Sequence, residues 1–119
     1  MLIEKIKPNF VFEDERGCLT QLIREGYKQV NFITSKRGVK RGGHYHKNNE
    51  ELFYIISGKM TLIAKQGNKE EIYHFKKGDM FKVLPNVAHS FEFEANTLLI
   101  SLYSLGVELP GGAKDIFVR

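Results

Sequence analysis

The sequence predicts an all-β fold, a sandwich or small barrel of antiparallel strands with little or no helix. Three observations carry this reading. Apolar and polar residues alternate over short runs of four to seven residues, and Gly, Asn or Pro punctuates the gaps between them. No stretch of helical length holds an apolar stripe with a period of about 3.6 residues. Pro8, Pro85 and Pro110, the three prolines of the chain, all fall in gaps, where a sheet tolerates the missing N–H. Together these favour a sandwich or barrel over a doubly wound α/β fold.

Taken in order, Leu2 to Ile6 alternates as a short, half-buried strand that Pro8 and Asn9 end, and Phe10 to Phe12 resumes an extended run. Asp14-Glu15-Arg16-Gly17 reads as a turn, followed by strands over Cys18 to Ile23 and Gln29 to Thr34 with Gly26 in the break. Leu52 to Ile56 and Met60 to Ala64 form a hairpin around Ser57-Gly58-Lys59. Glu71 to Phe75, Phe81 to Leu84 and Ser90 to Phe93 continue the pattern, separated by Lys77-Gly78-Asp79 and Pro85-Asn86. Leu98 to Leu102, the longest apolar run, suits a strand covered on both faces. Ile116 to Val118 is a last edge strand or a loosely held tail. Arg16 and Arg24 read as surface charges.

At 119 residues the chain is long enough for one domain with a real core, expected to span 1–119, and too short for two ordinary ones. Apolar residues make up 42% and charged residues 27%, the balance of a globular protein in water. The net charge of +4 is modest and scattered, without the long basic stripe or helix-turn-helix pattern of a nucleic-acid binder. Its densest cluster, Lys36, Arg37, Lys40 and Arg41, serves either a phosphate-bearing ligand or a solvated loop. Cys18 is alone, so no internal disulfide forms. With no apolar leader and no membrane-length segment, a soluble cytoplasmic protein is expected, with neither nucleic acid nor membrane as partner.

The chemistry concentrates between Gly38 and Gly58. Five residues separate Gly38 from His44, one separates His44 from His46, four lead to Glu51 and six to Gly58. In an extended segment His44 and His46 share a face. With Glu51 opening the next strand and His89 arriving from another, the chain offers three imidazoles and a carboxylate. Such a set suits a divalent Zn, Fe, Ni or Mn ion, with no thiolate to bias it toward a softer one. The same residues without an ion form a histidine pair whose tautomers a carboxylate fixes.

This spacing resembles the first motif of the cupins, G-x5-H-x-H-x3/4-E-x6-G, which Gly38, His44, His46, Glu51 and Gly58 meet in full. The second motif, G-x5-P-x-G-x2-H-x3-N, is met at Gly78 and His89. Leu84 stands at its proline with Pro85 one place late, Asn86 at its second glycine and Phe93 at its asparagine. Asn tolerates the left-handed backbone that glycine supplies there. The resemblance implies the antiparallel double-stranded β-helix, or jelly roll, of the RmlC-like cupins.

Within that group, Asp14-Glu15-Arg16-Gly17 resembles the D-x-R-G opening of deoxysugar epimerases and ketoisomerases. Arg41 to His46 resembles the R-G-x-H-x-H segment of the thymidine-diphospho-keto-deoxysugar 3,4-ketoisomerases. In those enzymes the two histidines are active-site residues and no metal is required. Glu51 stands where they carry Gln. It matches instead the metal-binding cupin domain of bifunctional capsular-polysaccharide epimerase/reductases, whose fused reductase domain is not expected within these 119 residues. The resemblance therefore implies an isomerase or epimerase of a nucleotide-diphospho-4-keto-6-deoxysugar. The alternative is a metal-binding cupin that binds a sugar or another small molecule without this catalysis.

Two schemes fit such a substrate. In one, a metal on His44, His46, Glu51 and His89 polarises the ketone. In the other, His44 or His46 is the base and its neighbour donates to oxygen. Arg41 and Lys40 are expected on the diphosphate. Tyr45 and Tyr54 both face away from the histidine face by alternation, so neither is a well-placed base. A homodimer is expected, because a small antiparallel fold must cover its edge strands and Leu2 to Ile6 is a natural edge or exchanged strand.

Overall fold

A computed structural model describes residues 1–119. It contains twelve strands and no helix, as the alternation predicts: β1 (Ile3–Ile6), β2 (Phe10–Asp14), β3 (Gly17–Gln21), β4 (Gln29–Ser35), β5 (Lys40–Tyr45), β6 (Glu51–Ser57), β7 (Lys59–Gln66), β8 (Lys69–Lys76), β9 (Met80–Val83), β10 (Ala88–Phe93), β11 (Thr97–Tyr103) and β12 (Phe117–Val118). No helix of the chain is long and apolar enough to cross a membrane. Two five-stranded antiparallel sheets face each other in the orders β1-β9-β6-β11-β4 and β12-β5-β10-β7-β8, while β2 and β3 form a hairpin of their own.

Alternation decides which side chains fill the space between the sheets. Along β6, Phe53 and Ile55 turn inward; along β10, Phe91 and Phe93 do; all four are buried. With Phe75 and Phe81 they form the aromatic centre of the core. The rings of Phe75 and Phe81 stack at 4.1 Å and those of Phe53 and Phe81 at 4.9 Å. This packing occupies one end of the sandwich. At the other end the same inward registers continue into Glu51 on β6, His89 on β10 and Tyr103 on β11.

Three details differ from or sharpen the sequence reading. The strand expected over Cys18 to Ile23 ends at Gln21. Leu22 and Ile23 leave it to pack with Tyr27 on the outer face of the first sheet, against Leu52, Met80 and Leu102. Their apolar character reflects that packing rather than strand alternation. Both faces of β11 are largely covered, as its apolar run implies. The C-terminal segment is an edge strand, with Phe117 opposite Tyr45 and Val118 opposite His44.

Candidate metal and substrate site

The four residues singled out in the sequence meet at the open end of the sandwich. Their donor atoms all lie within 4.8 Å of one another. His44 on β5 is the direct cross-strand partner of His89 on β10, with ring centroids 4.8 Å apart. His46 follows the last residue of β5, and its ring centroid lies 5.2 Å from that of His44. Glu51 opens β6 in the facing sheet, so the site bridges the two layers. Asn86, in the turn before β10, has φ of 70°, the left-handed conformation expected of a residue at a glycine position.

Hydrogen bonding fixes the orientation of two rings. His46 Nδ1 lies 2.6 Å from the main-chain oxygen of Asp115, and His89 Nδ1 lies 3.0 Å from that of Val87. A carbonyl oxygen only accepts, so both Nδ1 atoms carry hydrogen. In the neutral rings both Nε2 lone pairs therefore face Glu51 Oε1, at 3.1 Å from His46 and 3.2 Å from His89. His89 Nε2 is buried without a hydrogen-bond partner, its approach to Glu51 being misaligned.

The electrostatics follow from that crowding. Burial favours the neutral acid of Glu51, but the contacts from His46 and His89 outweigh it and hold the carboxyl at about 2. Burial likewise disfavours the imidazolium of His46, yet its bond to Glu51 raises it above the usual histidine value. An ionised, buried carboxylate facing two imidazole lone pairs calls for a positive charge. A proton on His46 supplies one, and a divalent cation supplies a better-shared one. The residues present fit a metal ion on this ground.

His44 stands apart. Neither of its ring nitrogens makes a hydrogen bond, and the ring is half-buried. Burial, together with the neighbouring His89 and His46 rings, pushes it down to about 4. It is therefore neutral at pH 7 and faces a cavity of about 200 Å³ whose lining also includes the polar Arg41, Glu51 and Tyr103 and the apolar Phe91 and Leu99.

Tyr103 is the site residue that the sequence reading missed. It is buried, lies directly across from Glu51 in the β6–β11 ladder, and stands edge-on to His46 at 5.1 Å. Burial and the charge of Glu51 keep its hydroxyl protonated far above the usual range. The inward register Leu99, Ser101, Tyr103 was the available signal. Tyr45 and Tyr54 point away, as alternation implies; Tyr45 stacks on Phe117 and Tyr54 packs on the outer face of the first sheet.

Arg41 reaches the cavity, and Lys40 does not. The Arg41 guanidinium donates from Nε to Ser35 Oγ at 2.8 Å and from Nη2 to the Thr34 carbonyl at 3.2 Å. It lines both the inner cavity and an adjoining open groove of about 630 Å³ with Ser35, Lys36 and Asn96. Lys40 points outward on the opposite face of β5, 3.5 Å from Glu92. Arg16 is exposed and bound to Asp14 at 2.7 Å, a surface charge as expected.

The two facing sheets form the cupin jelly roll. More particularly, residues 12–104 match the polysaccharide biosynthesis C-terminal domain, and the chain belongs to that family. It is 36% identical over 87 residues to 3-hydroxyanthranilate 3,4-dioxygenase of Danio rerio, covering 71% of this chain and 30% of that protein. It is 30% identical over 81 residues to UDP-2-acetamido-2,6-beta-L-arabino-hexul-4-ose reductase of Pseudomonas aeruginosa, covering 64% of this chain and 22% of that protein. The chain thus spans less than a third of the length of either. Among solved structures, a mutant of the 3,4-ketoisomerase QdtA from Thermoanaerobacterium thermosaccharolyticum, in complex with TDP-4-keto-6-deoxyglucose, superposes with a TM-score of 0.81. The identity is 20%, over 99% of this chain and 88% of that one.

Proposed function

We propose that the chain is an isomerase or epimerase of nucleotide-diphospho-4-keto-6-deoxysugars in deoxysugar or polysaccharide biosynthesis. The observation that carries this reading is His44, a neutral, hydrogen-bond-free imidazole facing a cavity about the size of one sugar ring, with Arg41 at its rim. His44 takes the proton from the carbon next to the ketone, and the C–H electron pair moves into the carbonyl to give an enolate. Reprotonation of that carbon on its other face by a solvent proton gives the epimer, and the proton held by His44 exchanges with water. Transfer of the C3 hydroxyl proton to the C4 oxygen, with return of the proton from His44 to the C4 carbon, moves the ketone instead. Tyr103, held protonated, donates a hydrogen bond to the ketone oxygen as charge builds there. Arg41, already oriented by Ser35 and Thr34, anchors the diphosphate in the adjoining groove.

His46, Glu51 and His89 would hold the divalent ion, Zn, Fe, Ni or Mn, with His44 left free as the base. When bound, the ion supplies Lewis acidity toward the ketone oxygen. The test is incubation with a panel of nucleotide-linked 4-keto-6-deoxysugars in deuterated water, followed by NMR. Deuterium at C3 with inverted configuration indicates epimerisation, and a ketone at C3 indicates isomerisation. No uptake from any of them ends this reading.

A second reading is a metal-binding cupin acting on a different small molecule. The dioxygenase relative and the apolar wall formed by Phe91 and Leu99 favour it. Oxygen uptake by the iron-loaded protein with 3-hydroxyanthranilate, together with silence toward the keto sugars, would select it.

The working form is proposed to be a homodimer. The β2–β3 hairpin exposes Phe10, Phe12 and Leu19, and edge strand β4 exposes Val30 and Phe32. A two-stranded hairpin on its own is marginal in water, so a second copy is the cover these residues need. Sedimentation at micromolar concentration is expected to show twice the 13.7 kDa chain mass, and a single-chain species alone would refute it.

A further inference from the structure

We propose that Asp115 is a positioning residue for the site: its main-chain carbonyl fixes His46 as the Nδ1–H tautomer, and its carboxylate fixes the loop that carries this ring. Asp115 comes from the C-terminal segment, 69 residues beyond His46, and is 1% exposed. Its Oδ1 accepts the amide of Lys47 at 2.8 Å. Its Oδ2 accepts the amides of Asn48 and Asn49, each at 2.9 Å, and the Asn49 side-chain amide at 2.8 Å. Four N–H donors from the three residues after His46 thus converge on one carboxylate, as charge-assisted bonds.

Asn49 locks the arrangement from the other side. Its Oδ1 accepts the amides of Leu105 and Gly106, and its Nδ2 also donates to the Gly106 carbonyl. Asp115 itself donates its amide to Val107 at 2.8 Å. The carbonyl of Asp115 is therefore held in place over His46 Nδ1 by bonds at both of its neighbouring groups. His89 obtains the same tautomer from Val87, two residues away on its own chain segment, and needs no such device. His46, at the end of β5, has no local carbonyl in that role. A ring flipped to Nε2–H would turn a hydrogen toward the ion and could not ligate it.

The proposal rests on His46 being a ligand, but its first readout does not depend on any metal. Long-range nitrogen–proton NMR of the metal-free protein, at a pH where both rings are neutral, should show His46 and His89 as Nδ1–H tautomers. In Asp115→Ala, His46 should become a mixture while His89 is unchanged, and Co²⁺ affinity should fall about tenfold or more. Asp115→Asn keeps the shape but replaces one accepting oxygen with a donor, and should lie between; if Asp115→Ala does not fold, this variant decides. Lys114→Ala, in the same segment, should alter neither readout. His46 remaining Nδ1–H with Co²⁺ affinity within about twofold of wild type overturns the proposal, and so does an equal effect from Lys114→Ala. A wild type that binds no metal refutes the ligand reading, and the tautomer result still decides this one.

Discussion

Gly42 is where the backbone of the site is tightest. It sits on β5 two residues before His44, with φ of 97°, opposite the irregular step between His89 and Ser90 on β10. A Cβ there would lie 2.6 Å from the His89 carbonyl oxygen and 3.0 Å from Ser90 Cα, nearly an ångström inside ordinary contact with the former. Gly43 has a similar φ of 79° but open space around its absent Cβ. The two alanine variants therefore separate strain from collision. Both carry the left-handed penalty of about 1–2 kcal/mol. Gly42→Ala must also push β5 off β10, an overpacking cost of about 1–3 kcal/mol. At about 4 °C per kcal/mol for a chain of this size, Gly43→Ala should lower Tm by about 4–8 °C and Gly42→Ala by about 8–20 °C. Because the displaced strand carries His44 and leads into His46, only Gly42→Ala should also weaken Co²⁺ binding. Thermal denaturation with a parallel metal titration reads both. Equal Tm losses, or full metal affinity in Gly42→Ala, would refute the reasoning.

Other expectations follow from the same geometry. Tyr73 and the Leu2 amide both donate to Glu71, holding its carboxyl below the ordinary 4.5. Stability from such a lowered group is present above the unfolded value and is lost as pH falls through the folded one. The hydrogen-exchange protection of Leu2 should accordingly fall as acid protonates Glu71, and Glu71→Gln should weaken it already at neutral pH; protection independent of pH and of this substitution would contradict the link. His44→Ala should keep bound metal and lose deuterium exchange into the sugar, whereas His89→Ala should lose both; metal loss from His44→Ala would make His44 an obligatory ligand instead. Arg41→Lys keeps the charge but not the planar fork, so KM for the nucleotide sugar should rise with kcat spared. A kcat defect at unchanged KM would move Arg41 from binding to chemistry.

Most of the framework was legible because a sheet writes its register into alternation. Gln29 to Thr34 and Leu98 to Leu102 announce their strands, and the outward aim of Tyr45 and Tyr54 follows from their odd spacing to His44 and Glu51. The same rule fails for Lys40 and Arg41: even spacing to His44 points Lys40 at the cavity, but the irregular step opposite His89 and Ser90 reverses the alternation, so that Arg41 enters and Lys40 turns away. Tyr103 was obscured by lying one residue past the apolar run, where its inward register continues into the polar end of the sandwich. Leu22 and Ile23 misled because an apolar pair packed on an outer face looks, in sequence, like the end of a strand. Asp115 carried no local signal at all. Its importance comes from a carbonyl meeting the His46 ring 69 residues away and a carboxylate meeting loop amides 66 to 68 residues away.

These contrasts divide the site into two halves with different sources of order. His46 and His89 are oriented by main-chain carbonyls, and Glu51 is fixed between them as a buried anion. Such an arrangement tolerates little variation, since any change of ring angle leaves a buried charge unmatched. Arg41 instead owes its place to Ser35 Oγ and the Thr34 carbonyl at the groove, Tyr103 to edge-on packing against His46, and His44 to its position on a strand facing the cavity. Substitutions around this second group can reshape the cavity without disturbing the donor set. The physical consequence is that metal affinity should follow changes at the C-terminal segment and at the β5–β10 contact. Substrate preference should follow changes at Ser35, Asn96 and the groove that Arg41 joins to the cavity.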